Sequence, residues 1–403
     1  DAGGTLTNGN DNVAIGKNTL NNATDVQFIV AVGNNVADAG LTAAANGTVA
    51  VGYQALTALT SGERNLAVGY QSGENITTGD DNLFIGYQVG DGLAEQSDNV
   101  AIGSNALDNN SAQVNAVTAL GTRALQGDLT TGADGTVAIG YYALNALTSG
   151  ANNTAIGYQS MDSITTGYSN VAIGNATLQD DTDGCCNVAL GDAALANLTT
   201  STRNVAIGRG AMQIPDASAD GLADCVAIGY EAFRGHTDTT TGTSGTIAIG
   251  REAGKALQTG AGNIAIGYQA GTLITTGESN IIIGFGAMDE VPVASSYNVA
   301  IGQNAMGGDS DGNTASNYNV AIGHNAMDEA MDASNQNTGV GYNSMGGLTE
   351  GDNNACFGKS SGDVISTGSQ NTILGSDSDP SASGGANQTV VGYATTGQAD
   401  NSV

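Results

Sequence analysis

The five residues Asn99-Val100-Ala101-Ile102-Gly103 recur unchanged at Asn170 to Gly174, Asn204 to Gly208, Asn298 to Gly302 and Asn319 to Gly323. With the glycine as a mark, copies and near-copies end at 22 positions from Gly16 to Gly392. Of the 21 intervals between them, 13 are 17 residues long and the others exceed 17 by one, two or four. A period this short and this persistent predicts a solenoid with one coil per repeat. Within the motif, β-branched residues alternate with Ala between Asn and Gly, which reads as a short strand, and the density of glycine excludes helix.

Strand parity divides the motif into two faces. The residue before each glycine is apolar at every mark, from Ile15 to Val391, and this side chain is expected inside the coil. The middle residue is Ala in 16 of the 22 copies, where a solvated face would read polar. The alanines Ala14, Ala101, Ala155, Ala172, Ala189, Ala206 and Ala321 are therefore expected to pack against neighbouring chains. The residue after the mark is Tyr nine times, at Tyr53, Tyr70, Tyr87, Tyr141, Tyr158, Tyr230, Tyr268, Tyr342 and Tyr393, with Phe285 a tenth aromatic. Stacked coils would place these rings in a ladder, and the bend at the glycine leaves open whether they face inward or outward. Six of the seven methionines share one slot, four residues after the mark, which marks that slot as a packing position. The insertions Gln213 to Asp224, Gly235 to Gly245 and Gly307 to Tyr318 all fall between that slot and the next strand, so they read as loops on one edge.

Composition fits this architecture and narrows the function. The chain of 403 residues has 61 Gly, 3 Pro, no Trp and 4% aromatic residues, too few large side chains for a conventional core, yet its 40% hydrophobic content argues against disorder. No composition shift or linker divides it, so residues 1–403 are expected to form one continuous repeat domain. Its matching half-coils at both ends suggest a segment of a longer fibre. The net charge of -30 repels nucleic acid and anionic membrane surfaces. No apolar run approaches the roughly 18 residues of a membrane span, and Asp1 begins no signal peptide.

Asn-Val-Ala-Ile-Gly, with the closing Asp400-Asn401-Ser402-Val403, resembles the repeat of trimeric autotransporter adhesin heads. The longer form around Ile85 to Gln88 and Ile266 to Gly277 resembles repeats of bacteriophage tail fibres and related surface fibres. The resemblance implies an all-β, left-handed parallel β-roll with three chains side by side in a homotrimeric fibre. The 17-residue period departs from the shorter adhesin-head repeat.

The chemical motifs are thin by comparison. Gly250-Arg251-Glu252-Ala253-Gly254-Lys255 is one residue short of a phosphate loop, and Ala256 stands where Ser or Thr would bind Mg²⁺. Asp309, Asp311 and Asn313, and likewise Asp181 and Asp183, look like the opening of calcium loops, since closely spaced oxygens suit a hard cation. The first set lacks the closing Glu, Val320 standing in its place. Calcium is the one cofactor that these residues leave open. His236 and His324 have no sequence partners for a zinc site or a catalytic triad. Cys225 lies two coils from Cys185 and Cys186, about 9.6 Å at the strand spacing and beyond disulfide reach, which predicts free thiols and leaves an interchain bridge at the Cys185-Cys186 turn as the alternative. Carboxylate pairs between coils could serve glycoside hydrolysis, but no Trp is present to bind sugar rings.

The sequence thus reads as a non-enzymatic, extracellular fibre shaft of a virion or cell surface. It would present a recognition tip to a host-cell receptor, with its own copies as partners. An adhesin head is the alternative. A calcium- or ice-binding solenoid is the third reading, weakened because Thr-Thr recurs only in scattered coils such as Thr77-Thr78 and Thr275-Thr276.

Overall fold

The computed structural model describes every residue except 1, 5, 7, 109–113, 131, 215–220, 236–241, 291–293, 309–313 and 403. The chain is a parallel β-solenoid of coils about 17 residues long, each contributing one short strand, 22 strands among the described residues. Among the described residues the 3-10 turn Ala43–Ala45 is the only helical element. No helix among these residues is long and apolar enough to cross a membrane.

Two compact units are present. The first comprises residues 1–193 and 199–201, the second residues 194–198 and 202–403. The first carries β1 (Val13–Ile15) through β11 (Val188–Leu190), paired parallel and in register, as where Ala155, Ala172 and Ala189 align. The second carries β12 (Val205–Ile207) through β22 (Thr389–Val391), in the same arrangement, as where Ala227, Ala248 and Ala265 align. Exact register makes each sequence position a column running along the stack.

The columns face opposite to the expectation from the apolar pattern. The residue two before the marking glycine is buried within the coil of a single chain in every strand after the first, and the residues on either side of it are half-buried or exposed. Ala101, Ala155, Ala172, Ala189, Ala206 and Ala321 have no accessible surface, so they cannot form the interface between chains; Ala14, in the first strand, is half-buried. The cause is volume. Leu56, Leu107, Met161, Met212 and Met327, four residues past the glycine, are completely buried and fill the coil's interior against the strand. Little more than a methyl group fits opposite them. Where the strand centre is the large Phe84, the neighbouring slots hold Gly73 and Gly90, and a Cβ on either would come within 2.9 Å of the ring. Where the centre shrinks to Gly339, the Cε atoms of Met327 and Met345 close on it.

Two further columns hold the coils together. The motif's asparagine is buried, and its amide continues the stack: Asn65 Oδ1 accepts from both the backbone and side-chain nitrogens of Asn82, whose Nδ2 also donates to the Gln96 carbonyl. The same pattern runs from Asn263 through Asn280, Asn298, Asn319, Asn337 and Asn354 to Asn371. Two residues earlier, Asp80, Ser97, Asn115 and Asp134 each present a side-chain oxygen to a backbone N–H of the preceding coil. Many of the polar turn residues are thus structural acceptors, buried or half-buried, that satisfy backbone groups a thin coil cannot satisfy internally.

Candidate functional site

With alanine turned inward, the outward strand face of each unit consists of two columns of Val, Ile, Leu and Thr, with Ala355 and Phe357 the exceptions. Ile173 is 40% exposed and Ile102 37%, and their partners in neighbouring coils form an uncharged band along consecutive strands. At about 4.8 Å per strand and about 10 Å of width, the eleven strands of one unit present roughly 500 Å² of this face. That matches the largest apolar patch of an ordinary monomer, and each of the two units has one.

Past the glycine, the tyrosines face outward and stack on one another. Ring centroids lie 5.1 Å apart for Tyr53 and Tyr70, 5.3 Å for Tyr70 and Tyr87, and 5.4 Å for Tyr141 and Tyr158. In the second unit Tyr268 stacks on Phe285 at 5.0 Å and His324 on Tyr342 at 5.5 Å. Stacking covers the ring faces within a run, so the ladder shows its edges to solvent. Arg251 sits between the Tyr230 and Tyr268 rings, 5.6 Å from each, and Arg209 lies 5.8 Å from Tyr230.

The residues with metal or catalytic patterns take ordinary places in the coil. Asp181 is fully buried; its Oδ1 accepts from the Gly184 N–H at 2.6 Å, its Oδ2 from the Ser201 hydroxyl and N–H, and burial pushes its carboxyl above the usual range. Asp183 is exposed and accepts from Thr165 and Thr166, so the two carboxylates serve separate hydrogen-bond sets. Asp309, Asp311, Asn313 and His236 lie outside the described residues, as do parts of all three insertions. Among the described residues no group of three or more His, Cys, Asp or Glu is arranged to hold a metal. Lys255 of the phosphate-loop-like stretch pairs with Glu231 at 2.7 Å and Glu252 at 3.7 Å. None of the four cysteines is in a disulfide. Burial pushes Cys225 upward and Cys356 up to about 12, which leaves Cys185, half-buried, and Cys186, exposed, as the accessible thiols.

In-register stacking also brings acids together, which sequence reading missed because the pairs are 16 to 39 residues apart. Asp328 is pushed up to about 6 by burial and then by Asp289; Asp379 is pushed up to about 6 by burial and then by Asp363. Glu74 and Asp91 are raised in the first unit by burial and by the next acid in the column. For a carboxyl raised in the folded state, the stabilising contribution is complete below its unfolded value near 4 and is lost as pH rises through about 6. The melting temperature is accordingly expected to rise by a few degrees between pH 7.5 and pH 5. The Asp328→Asn, Asp379→Asn double variant should flatten that slope in circular-dichroism melts; an unchanged slope would show that these pairs do not cause it. Compared with models of known protein families and with curated proteins, the chain matches none.

Proposed function

We propose that the chain is a non-catalytic fibre segment, the shaft of a phage tail fibre or a similar extracellular surface fibre, which assembles as three parallel copies and holds a recognition tip towards a host-surface receptor. The observation that supports assembly is the outward apolar strand face. It is uncharged in a chain whose -30 charge would otherwise keep copies apart. Every copy carries the same band, so a second copy is a partner of matching shape and chemistry. Each unit carries roughly 500 Å² of this band, at the upper end of the apolar patch that an ordinary monomer exposes. The number three, the phage or surface setting and the receptor come from the resemblance of the repeats.

One observation favours the adhesin-head alternative. At the last strand the coil shortens: the Thr389 N–H donates to the Ser402 carbonyl, whereas one coil earlier the Thr372 N–H donates to the Gln388 carbonyl, three residues farther along the chain. A shorter repeat is what the adhesin heads have.

The test is the mass in solution. The parent is expected to sediment as three chains. Ile156, Ile173 and Leu190 are partly exposed in the single chain, so changing all three to Asp should give monomers that keep the circular dichroism of the solenoid. Changing the buried Ala155, Ala172 and Ala189 to Asp should instead unfold the coils. A monomeric parent, or a triple Ile156, Ile173, Leu190 variant of unaltered mass, would refute assembly through this face.

A further inference from the structure

Tyr53, Tyr70 and Tyr87 lie on consecutive coils of the first unit, 17 residues apart, with their rings stacked and their edges open to solvent. The ring centroids are 5.1 Å and 5.3 Å apart, the planes are within 17° of parallel, and the three residues are 41% to 49% exposed. The backbone fixes their register: the Gln71 N–H donates to the Tyr53 carbonyl at 2.8 Å, and the Gln88 N–H to the Tyr70 carbonyl at 2.9 Å. Beside the rings a glutamine ladder repeats it, Gln71 Nε2 donating to Gln54 Oε1 at 3.4 Å and Gln88 Nε2 to Gln71 Oε1 at 3.2 Å. Tyr141 and Tyr158 form another such pair, 5.4 Å apart and 11° from parallel. Each of these phenols therefore has a second phenol permanently beside it. Tyr268 provides a contrast within the chain, since it stacks at 5.0 Å on Phe285, whose ring has no hydroxyl to oxidise.

We propose that these stacked pairs are sites of oxidative cross-linking, at which a haem peroxidase acting on hydrogen peroxide joins the rings of neighbouring coils as dityrosine. Each phenol gives up one proton and one electron. The two phenoxyl radicals form a carbon-carbon bond between carbons ortho to their oxygens, and the hydrogens on those carbons then pass to the oxygens and restore both phenols. The pair loses two hydrogens in all, and one hydrogen peroxide, taking up two protons and two electrons, becomes two waters. In a phenoxyl radical the unpaired electron lies in the ring's π system, so a near-parallel stack sets the reacting orbitals against one another, and exposure leaves the rings room to slide from a stacked to an edge-joined arrangement. Holding both reactants on adjacent coils makes the coupling effectively unimolecular. Coupling between separate chains works instead against the repulsion of their -30 charge. The product staples one coil to the next. Because each coil of a solenoid is held mainly by its neighbours, such a link closes a route of local opening that hydrogen bonds alone leave available. The sites do not depend on assembly of the chain.

The test treats the full chain with a haem peroxidase and limiting hydrogen peroxide, and reads dityrosine fluorescence, denaturing gels and the masses of linked proteolytic peptides. Peptides joined from Tyr53 to Tyr70, from Tyr70 to Tyr87 and from Tyr141 to Tyr158 are expected, each lighter by two hydrogens than the sum of its parts. The yield per chain should stay constant over a roughly tenfold range of protein concentration, as an intramolecular step requires. Tyr70→Phe should remove both links of its run and leave the link from Tyr141 to Tyr158. Tyr268→Phe should leave the yield unchanged, because its stacked neighbour is Phe285. These variants remove only a hydroxyl from a partly exposed ring, and circular dichroism checks that each keeps the fold. Absence of the three linked peptides, links chiefly between separate chains, a yield per chain that grows with concentration, or unaltered dityrosine fluorescence in the Tyr70→Phe, Tyr141→Phe double variant would each overturn the proposal.

Discussion

Gly157→Ala is expected to cost about 3 kcal/mol or more and to open the coils on both sides of it, although only one methyl group is added. Gly157 has φ +141°, a conformation that L side chains rarely adopt, and a Cβ there would lie 2.0 Å from the carbonyl oxygen of Gly174 in the next coil. The obstacle is backbone, held by its own hydrogen bonds, so it cannot yield as a flexible side chain would. Gly174, Gly267 and Gly284 stand in the same relation to their successors, which is why the mark is invariant along the repeat. Gly245 is a control: its φ is +76° and nothing lies within 4 Å of a Cβ, so Gly245→Asn should cost less than about 1 kcal/mol. In a solenoid stability is nearly a sum of nearest-neighbour terms, so loss of amide-exchange protection should centre on residues 139–174 and fade with distance. Equal protection in the two variants would show that close approach at the mark is not what demands glycine.

That glycine was legible as a mark, and its period gave the coil length, the strand positions and the packing slot. Which face of the strand points inward was not, because hydrophobicity ranks Val and Ile above Ala for burial and says nothing of how thin the coil is. The sequence did carry a signal for the inversion. The strand centre is large, at Phe84 and Ile282, where a neighbouring slot is Gly73, Gly90 or Gly271, and small, at Gly339, between Met327 and Met345. Such compensation means that the two positions share one interior. The backbone of the turns was less accessible still. Gln54 and Leu56 lie at φ +55° and +50°, and their counterparts repeat the pair in coil after coil. Local propensity opposes Leu there, and the stack on either side imposes it. The row of Arg209, Tyr230, Arg251 and Tyr268 was half legible: the tyrosine column was visible, but the arginines that share it gained meaning only once the rings were seen to face outward and stack.

The asparagine before the strand supports a second large effect. Asn280→Ala is expected to cost about 3 kcal/mol. The native side chain accepts from the Asn298 backbone N–H at 3.0 Å and from its Nδ2 at 3.2 Å, and donates to Asn263 Oδ1 at 3.0 Å and the Ser295 carbonyl at 2.9 Å. All four partners are fully or almost fully buried, so truncation leaves groups without water to replace the lost bonds, at about 1–3 kcal/mol for each left unsatisfied. The Asn298 Nδ2 keeps its bond to the Ser316 carbonyl, which leaves its backbone N–H as the main orphan. The chain itself shows that one interruption is survivable, since Thr136 occupies the same position in its coil with a buried hydroxyl that has no partner. Asn280→Asp separates the acceptor from the donor. It keeps an oxygen for Asn298 but sets a second oxygen against the Ser295 carbonyl, in a buried site that raises the carboxyl's pKa. Its stability should therefore be lowest at neutral pH and recover as pH falls and the acid becomes a donor, whereas Asn280→Ala should show no such recovery beyond the parent's own slope. Denaturant titrations at pH 7.5 and pH 5 measure both. If Asn280→Ala is within about 0.5 kcal/mol of the parent, the amide column is a consequence of stacking and not a cause of it.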